Sequence, residues 1–195
     1  TAAKKSQWSA CDLVGAKYGD ERYSELAEML QTNEKADFIR MGGYTINALS
    51  KPAMPGTKCR DGVTGIIADI STSSPAMSYP TPAVVAATWN DELAETLGEC
   101  ISEDSLTTGV SGVFSPCLNV RRSVFHGKNY SSFGEDPLLV GRMGAAEVRG
   151  IRTKMGIAFI GNYALDVQVS YSAGLSVYAE EQTIRSRYLR PFEIA

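Results

Sequence analysis

The chain has 195 residues, 44% of them hydrophobic and 21% charged, with a formal net charge of -3. Those values fit one folded domain with a core of its own and exclude a disordered segment. The mild acidity excludes a binder of nucleic-acid phosphate backbone, which carries a basic face, and no apolar run reaches the length of a membrane-spanning helix.

Residues 1–19 are weakly patterned and read as an N-terminal extension; 20–195 read as the domain. Asp20–Leu30 has acids in its first turn and Tyr23, Leu26, Ala27 and Leu30 at helical spacing. Thr32 can cap a second helix, Asn33–Met41, which Gly42-Gly43 ends. Tyr44–Gly56 reads as a connecting loop and Thr57–Arg60 as a short strand running into Asp61-Gly62. Val63–Pro80 is rich in Gly, Ser and Pro and reads as a long loop. The apolar run Pro82–Thr88 fits a buried strand, with Asn90 capping the helix Asp91–Thr108. Leu93, Leu97, Cys100 and Ile101 fall on one side of that helix.

The apolar run Gly112–Leu118 predicts a strand, and the polar stretch Asn119–Pro137 a long loop after it. Asp136 then caps a helix with Pro137 at its first position and Leu139, Met143 and Ile151 facing inward, to about Lys154. Ile157–Ile160 is a further apolar strand, and Ala179–Leu189 a last helix with Pro191 as its limit. Strands alternate with helices, and the long loops follow the strands. The fold class expected is α/β: a partial (β/α) barrel of the TIM type, with about four parallel strands and flanking helices.

Four cysteines, Cys11, Cys59, Cys100 and Cys117, form no C-x-x-C pair, and the single histidine, His126, has no ligand spacing to them. They read as buried thiols, and no metal or other cofactor is expected. No signal peptide is expected within this stretch; the start at Thr1 and the stop at PFEIA lead to the expectation of a processed or trimmed piece, with the compartment left open.

Four runs in order carry a resemblance: DG-x-x-G (Asp61–Gly65), YPTPAVVAATWNDEL (Tyr79–Leu93), N-x-x-R-S-x-x-x-G-x-N-x-x-x-F-x-EDP (Asn119–Pro137) and GLSVYAEEQTIRSRYLRPFE (Gly174–Glu193). With the GGY…KP…DG opening (Gly42–Tyr44, Lys51-Pro52, Asp61-Gly62), they resemble the N-terminal barrel domain of the family 3 glycoside hydrolases, the β-glucosidase-like enzymes, over roughly residues 20–195. The resemblance implies a retaining β-glycosidase fold acting on a β-linked sugar. Retaining chemistry needs two carboxylates about 5 Å apart. By the family pattern both lie beyond Ala195, so no catalytic residue is expected here. What the family would place in this stretch is the clamp on the sugar hydroxyls.

Carried over position by position, that clamp is eroded. Asp61 matches the family aspartate, and the arginine after it falls near Ile67. Lys128 stands where the family has the arginine of G-R-N, followed by Asn129; it keeps the charge and loses the planar fork. Gly161-Asn162 stand at the family's Lys-His pair, and Tyr163 at its aromatic residue. Ser131 replaces a glutamate. The residues kept are Asn119, Arg122, Asn129, Phe133, Glu135, Asp136 and Pro137. Asn119, Arg122, Glu135 and Asp136 read as structural loop residues. Asp61 has two readings, a sugar-hydroxyl acceptor or a plain turn aspartate; Lys128 is either a remnant ligand or a solvated loop cation; His126 reads as a loop histidine without an orienting partner. The function expected is a β-glucosidase-like domain without catalysis of its own, in carbohydrate binding or assembly. The alternatives are one fragment of an active enzyme completed by another polypeptide, or an interaction module without a sugar role. Four strands leave exposed edges, so another chain or self-association is expected to complete the barrel.

Overall fold

The computed structural model describes residues 8–51, 53–67, 77–154, 156–166 and 168–195. Much of the expected loop Val63–Pro80, and Pro52 of the KP motif, lie outside the described residues. The chain divides into two compact units, Thr1–Cys59 and Arg60–Ala195.

In the first unit a short 3-10 turn (Ala10–Leu13) precedes helices α1 (Glu21–Glu28) and α2 (Thr32–Met41). Asp20 caps α1 by accepting the Arg22 backbone N–H at 3.0 Å. Gln31, one residue earlier than the expected cap, starts α2, with Glu34 reaching back to the Gln31 N–H at 2.8 Å. Strand β1 (Thr45–Ile46) pairs antiparallel with β2 (Thr57–Asp61), Thr45 opposite Lys58 and Ile46 opposite Thr57. The residues between them, 47–56, are too few for a crossover, which dictates a hairpin.

In the second unit the apolar run expected as a strand at Pro82–Thr88 is a helix, α3 (Pro82–Ala86). A run of apolar residues does not separate a buried helix from a strand. Here Pro82, whose fixed φ suits a first helical position, follows extended Thr81. Val85 and Ala86 are buried while Val84 is exposed, a helical rather than an alternating pattern. Helix α4 (Asp91–Thr108) has its expected bounds, with the Asn90 side chain accepting the Leu93 N–H at 3.2 Å and left-handed Gly109 (φ 68°) closing it. Its buried face carries Ala94, Leu97 and Ile101; Leu93 is exposed and Cys100 half-buried, unlike the expected stripe. Helix α5 (Pro137–Ile151) begins under Asp136, which accepts the Leu139 N–H at 2.7 Å, and ends in a 3-10 turn, Arg152–Lys154.

Between α4 and α5 lies β3 (Gly112–Phe114); β4 (Ile157–Ala158) follows α5 and pairs parallel with β3, Gly112 with Ile157 and Val113 with Ala158. The strands thus pair as β1 with β2, antiparallel, and β3 with β4, parallel. Both β3 and β4 are shorter than their apolar runs. Pro116, which has no N–H to give, interrupts the ladder, and pairing resumes at Cys117 with Gly161. The last helical stretch passes through Pro191 instead of ending before it: α6 (Glu181–Thr183), a π-helical segment (Ile184–Leu189) and α7 (Arg190–Ile194) run on. Pro191 sits at the start of α7, just after the widened turn, where its missing N–H is tolerated.

The core of this unit is the seam between sheet and helices. Val113 and Leu118 meet Ile101 of α4 and Val140, Met143, Ala146 and Ile151 of α5, with Phe133 from the long loop. The two long helices touch through glycine: a Cβ on Gly98 would strike the Glu147 carbonyl, and one on Gly150 the Glu95 carbonyl. Of the four cysteines only Cys59 is buried; Cys11 is exposed and the other two half-buried, and none of the four is in a disulfide. Among the described residues no helix is long and apolar enough to cross a membrane, and no group of His, Cys, Asp and Glu is arranged to hold a metal ion.

Candidate functional site

Parallel β3 and β4 release their chains at the same end of the sheet, into the loops 115–136 and 159–178. Main-chain bonds hold the two loops together. Gly161 N–H donates to the Pro116 carbonyl at 3.1 Å, and Leu118 N–H donates to the Gly161 carbonyl at 2.6 Å. Asn119, 6% exposed, donates its Nδ2 to the Asn162 carbonyl. Farther out, Lys128 Nζ meets Asp166 Oδ2 at 2.7 Å.

These ties enclose a hollow bounded by Cys117, Asn119, Val120, Arg121, Arg122, His126, Lys128, Asn129, Ser132 and Asp166. Its volume is about 10 Å³, room for one water-sized group. Three buried polar atoms on residues lining it have no partner among the described residues: Asn119 Oδ1, Arg121 Nε and His126 Nε2. The loop's own bonds fix what each offers. Asn119 Nδ2 is already donating, so Oδ1 is an acceptor. Arg121 donates Nη2 to the Ser132 carbonyl at 2.8 Å, which aims the guanidinium and leaves Nε–H a donor. His126 Nδ1 accepts the Lys128 backbone N–H at 3.1 Å, so in the neutral ring the proton sits on Nε2. Two donors and one acceptor on residues that line a water-sized space are the complement of one hydroxyl, which both accepts and donates. The loop is braced from within: Ser132 Oγ donates to the Asn119 carbonyl at 2.5 Å, Ser131 Oγ to the Lys128 carbonyl at 2.7 Å, and Asn129 Nδ2 to the Ser123 carbonyl at 2.7 Å.

At the foot of the loop Ser115 Oγ donates to Glu147 Oε1 at 2.5 Å. Glu147 is fully buried and its Oε2 has no partner among the described residues. Burial pushes its carboxyl up to about 7, against the opposing pull of the Ser115 bond. Tyr79, on the other side of α4, donates its hydroxyl to Asp104 at 2.9 Å; burial first, then that bond, holds its phenol above the ordinary range.

The structure therefore gathers Asn119, Arg122, Lys128 and Asn129 around the hollow and brings Gly161 and Asn162 to it through their carbonyl groups. Tyr163 lies 73% exposed, its ring edge-on to Phe192 at 5.0 Å between centroids. Asp61 ends β2 as an exposed residue, its carbonyl accepting the Ile67 N–H at 3.0 Å, and is not on the lining. Glu135 and Asp136 are exposed, and Asp136 is the α5 cap. Asp166, Arg121 and Ser132 were not singled out from the sequence. Nothing in the polar loop 162–178 marks Asp166 until Lys128 is seen against it. His126 was read as lacking an orienting partner; the Lys128 main chain supplies one, and the signal was the two-residue spacing itself.

Residues 25–195 match the family described as the glycosyl hydrolase family 3 N-terminal domain. The chain belongs to this family. Over 170 residues it is 29% identical to β-glucosidase A of Butyrivibrio fibrisolvens, covering 87% of this chain and 20% of that protein. It is 32% identical over 129 residues to thermostable β-glucosidase B of Acetivibrio thermocellus, covering 66% of this chain and 17% of the relative. Family 3 structures superpose on it: β-glucosidase 3B of Thermotoga neapolitana in complex with α-D-glucose gives a TM-score of 0.81 at 25% identity, over 89% of this chain and 27% of that one. The β-glucosidase of Kluyveromyces marxianus in complex with glucose gives 0.80 at 22% identity, over 88% and 21%. The chain thus spans about a fifth of the length of the curated family 3 relatives it matches.

Proposed function

We propose that this family 3 domain recognises a β-linked glucoside at the paired loops after β3 and β4, and does not cleave it alone. The supporting observation is the concentration of unpartnered Asn119 Oδ1, Arg121 Nε and His126 Nε2 on one small hollow beside the Lys128–Asp166 pair. A hollow of about 10 Å³ admits a hydroxyl but not a sugar ring, so the ring would lie across its mouth with one hydroxyl inserted. Charge-assisted bonds at the mouth then orient the ring. Retaining cleavage requires two carboxylates about 5 Å apart. The one carboxylate on the lining, Asp166, is taken up by Lys128.

Calorimetric titration of the chain with cellobiose tests this reading, alongside an aryl-β-glucoside assay. Saturable binding without turnover is the expected result, lost in Lys128→Ala. Turnover that follows the purified chain ends the non-catalytic part. Absence of binding by any glucoside ends the recognition part and leaves an interaction module without a sugar role.

A second reading has the same loops serving an active retaining β-glucosidase, with nucleophile and acid/base supplied by residues outside this chain. The span of about a fifth of its β-glucosidase relatives favours it. Among the described residues strand β4 pairs with β3 alone, and Ile157, Phe159 and Ile160 near it are exposed, an edge suited to further strands from another polypeptide or a second copy. Sedimentation velocity reads this out: a purely monomeric chain across a wide concentration range removes self-association.

A further inference from the structure

Trp89 lies between α3 and the Asn90 cap of α4. Its backbone is left-handed, φ 54°, and the residue is 75% exposed. Both are unfavourable for a large aromatic residue: positive φ strains a bulky side chain, and an exposed indole leaves apolar area in water. The ring borders a hollow of about 100 Å³ whose other walls include Asp91, Asp136, Leu138, Arg142 and Met143. None of its lining residues is shared with the loop hollow.

The polar rim is set by the two longest helices. Arg142 of α5 donates Nε at 3.2 Å and Nη2 at 2.5 Å to one oxygen, Oδ2, of Asp91 in the first turn of α4. Among the described residues that leaves Asp91 Oδ1 as an acceptor and Arg142 Nη1 as a donor. Asp136 gives Oδ1 to the Leu139 N–H, leaving Oδ2 as a second acceptor. The hollow thus combines a flat apolar face, buried Met143 in its wall, and a rim of the remaining Arg142 guanidinium donors and two carboxylate acceptors. A phosphate or carboxylate would face two carboxylates against one guanidinium. A purely apolar ligand would strand the rim groups. A neutral ring with C–H groups on its face and hydroxyls at its edge satisfies both parts.

We propose that the Trp89 hollow is a sugar-binding site for one pyranose unit of an oligosaccharide, stacked on the indole with its hydroxyls on Asp91, Arg142 and Asp136. The chain has two tryptophans, so Trp8→Phe leaves Trp89 as the sole indole reporter. Titrating that variant with cellotetraose should give a saturable change in Trp89 emission. Calorimetry with cellotetraose of Trp89→Gly in a Lys128→Ala background, which removes binding at the loop hollow, should show affinity reduced about tenfold or more relative to Lys128→Ala alone, with the unfolding midpoint retained because glycine accepts the positive φ without strain. Arg142→Gln in the Trp8→Phe background should weaken the emission response, and Arg185→Ala in the same background, on the last helical stretch and on neither hollow's lining, should leave it unchanged. A flat Trp89 titration overturns the proposal, as does equal affinity in Trp89→Gly. So does a response to an apolar dye with none to cellotetraose, which would make the hollow an apolar docking face.

Discussion

The α4–α5 pair and the loop pair after β3 and β4 are built on opposite economies of contact. The helices meet main chain to main chain: Gly98 and Gly150 leave no room for even one carbon, and Ala94, Ile101, Ala146 and Ile151 fill the seam. The loops meet through a few hydrogen bonds and one half-exposed ion pair around a space left unfilled. Close packing fixes one arrangement and tolerates no growth. A polar hollow tolerates exchange of its side chains so long as each buried group keeps a partner. The difference is one reason a helical frame can keep the pattern of family 3 while the loops at the strand ends are free to vary.

The sharpest way to break the contrast is to fill the helix seam. Gly150→Val should lower stability by about 3 kcal/mol or more, or prevent folding, because the added carbons meet the Glu95 carbonyl and the Glu99 N–H region rather than a movable side chain; urea unfolding reads it out. The next largest effect is carried by Glu147, where helix and loop foot meet. Its folded-state carboxyl is raised to about 7 from an ordinary 4.5. The native state therefore holds a proton that the unfolded chain releases first. Its contribution is fully present below about 4.5 and is lost as pH rises through about 7, amounting to roughly 3 kcal/mol. The urea midpoint should fall across that window, and Glu147→Gln should flatten the fall; an unchanged slope in the variant assigns it elsewhere. Asp136→Ala, which removes the α5 cap, should cost about 1 kcal/mol by the same measurement. Smallest in stability is Asp166→Asn: the pair with Lys128 is partly exposed, so its loss should change the midpoint by less than about 0.5 kcal/mol. The same variant should weaken cellobiose binding, which separates a recognition role from a packing one.

The frame was largely legible because its signals are local. Asn90 and Asp136 announce α4 and α5 by their position before acidic or proline first turns, and both caps form as expected. The failures are equally physical. Pro82–Ala86 is too short for periodicity to decide, and the faces buried on it are set by neighbours rather than by its own pattern. Pro191 was read as a stop because the widened turn ahead of it leaves no trace in residue type. At the candidate site the loop and Lys128 could be found, but Asp166 could not. Its meaning depends on a partner thirty-eight residues away brought close by the β3–β4 register.

The bonds that join Gly161 to Pro116 and Leu118 involve no side chain. Any residue able to adopt that backbone can occupy position 161, and the two strand ends will still be stitched at the same height. Chemistry at this end of the sheet is therefore replaceable hardware on a permanent mount: Gly161 and Asn162 could be exchanged for bulky or charged residues and the mount would hold. Side-chain exchange at these two positions therefore leaves the main-chain ties between the strand ends in place.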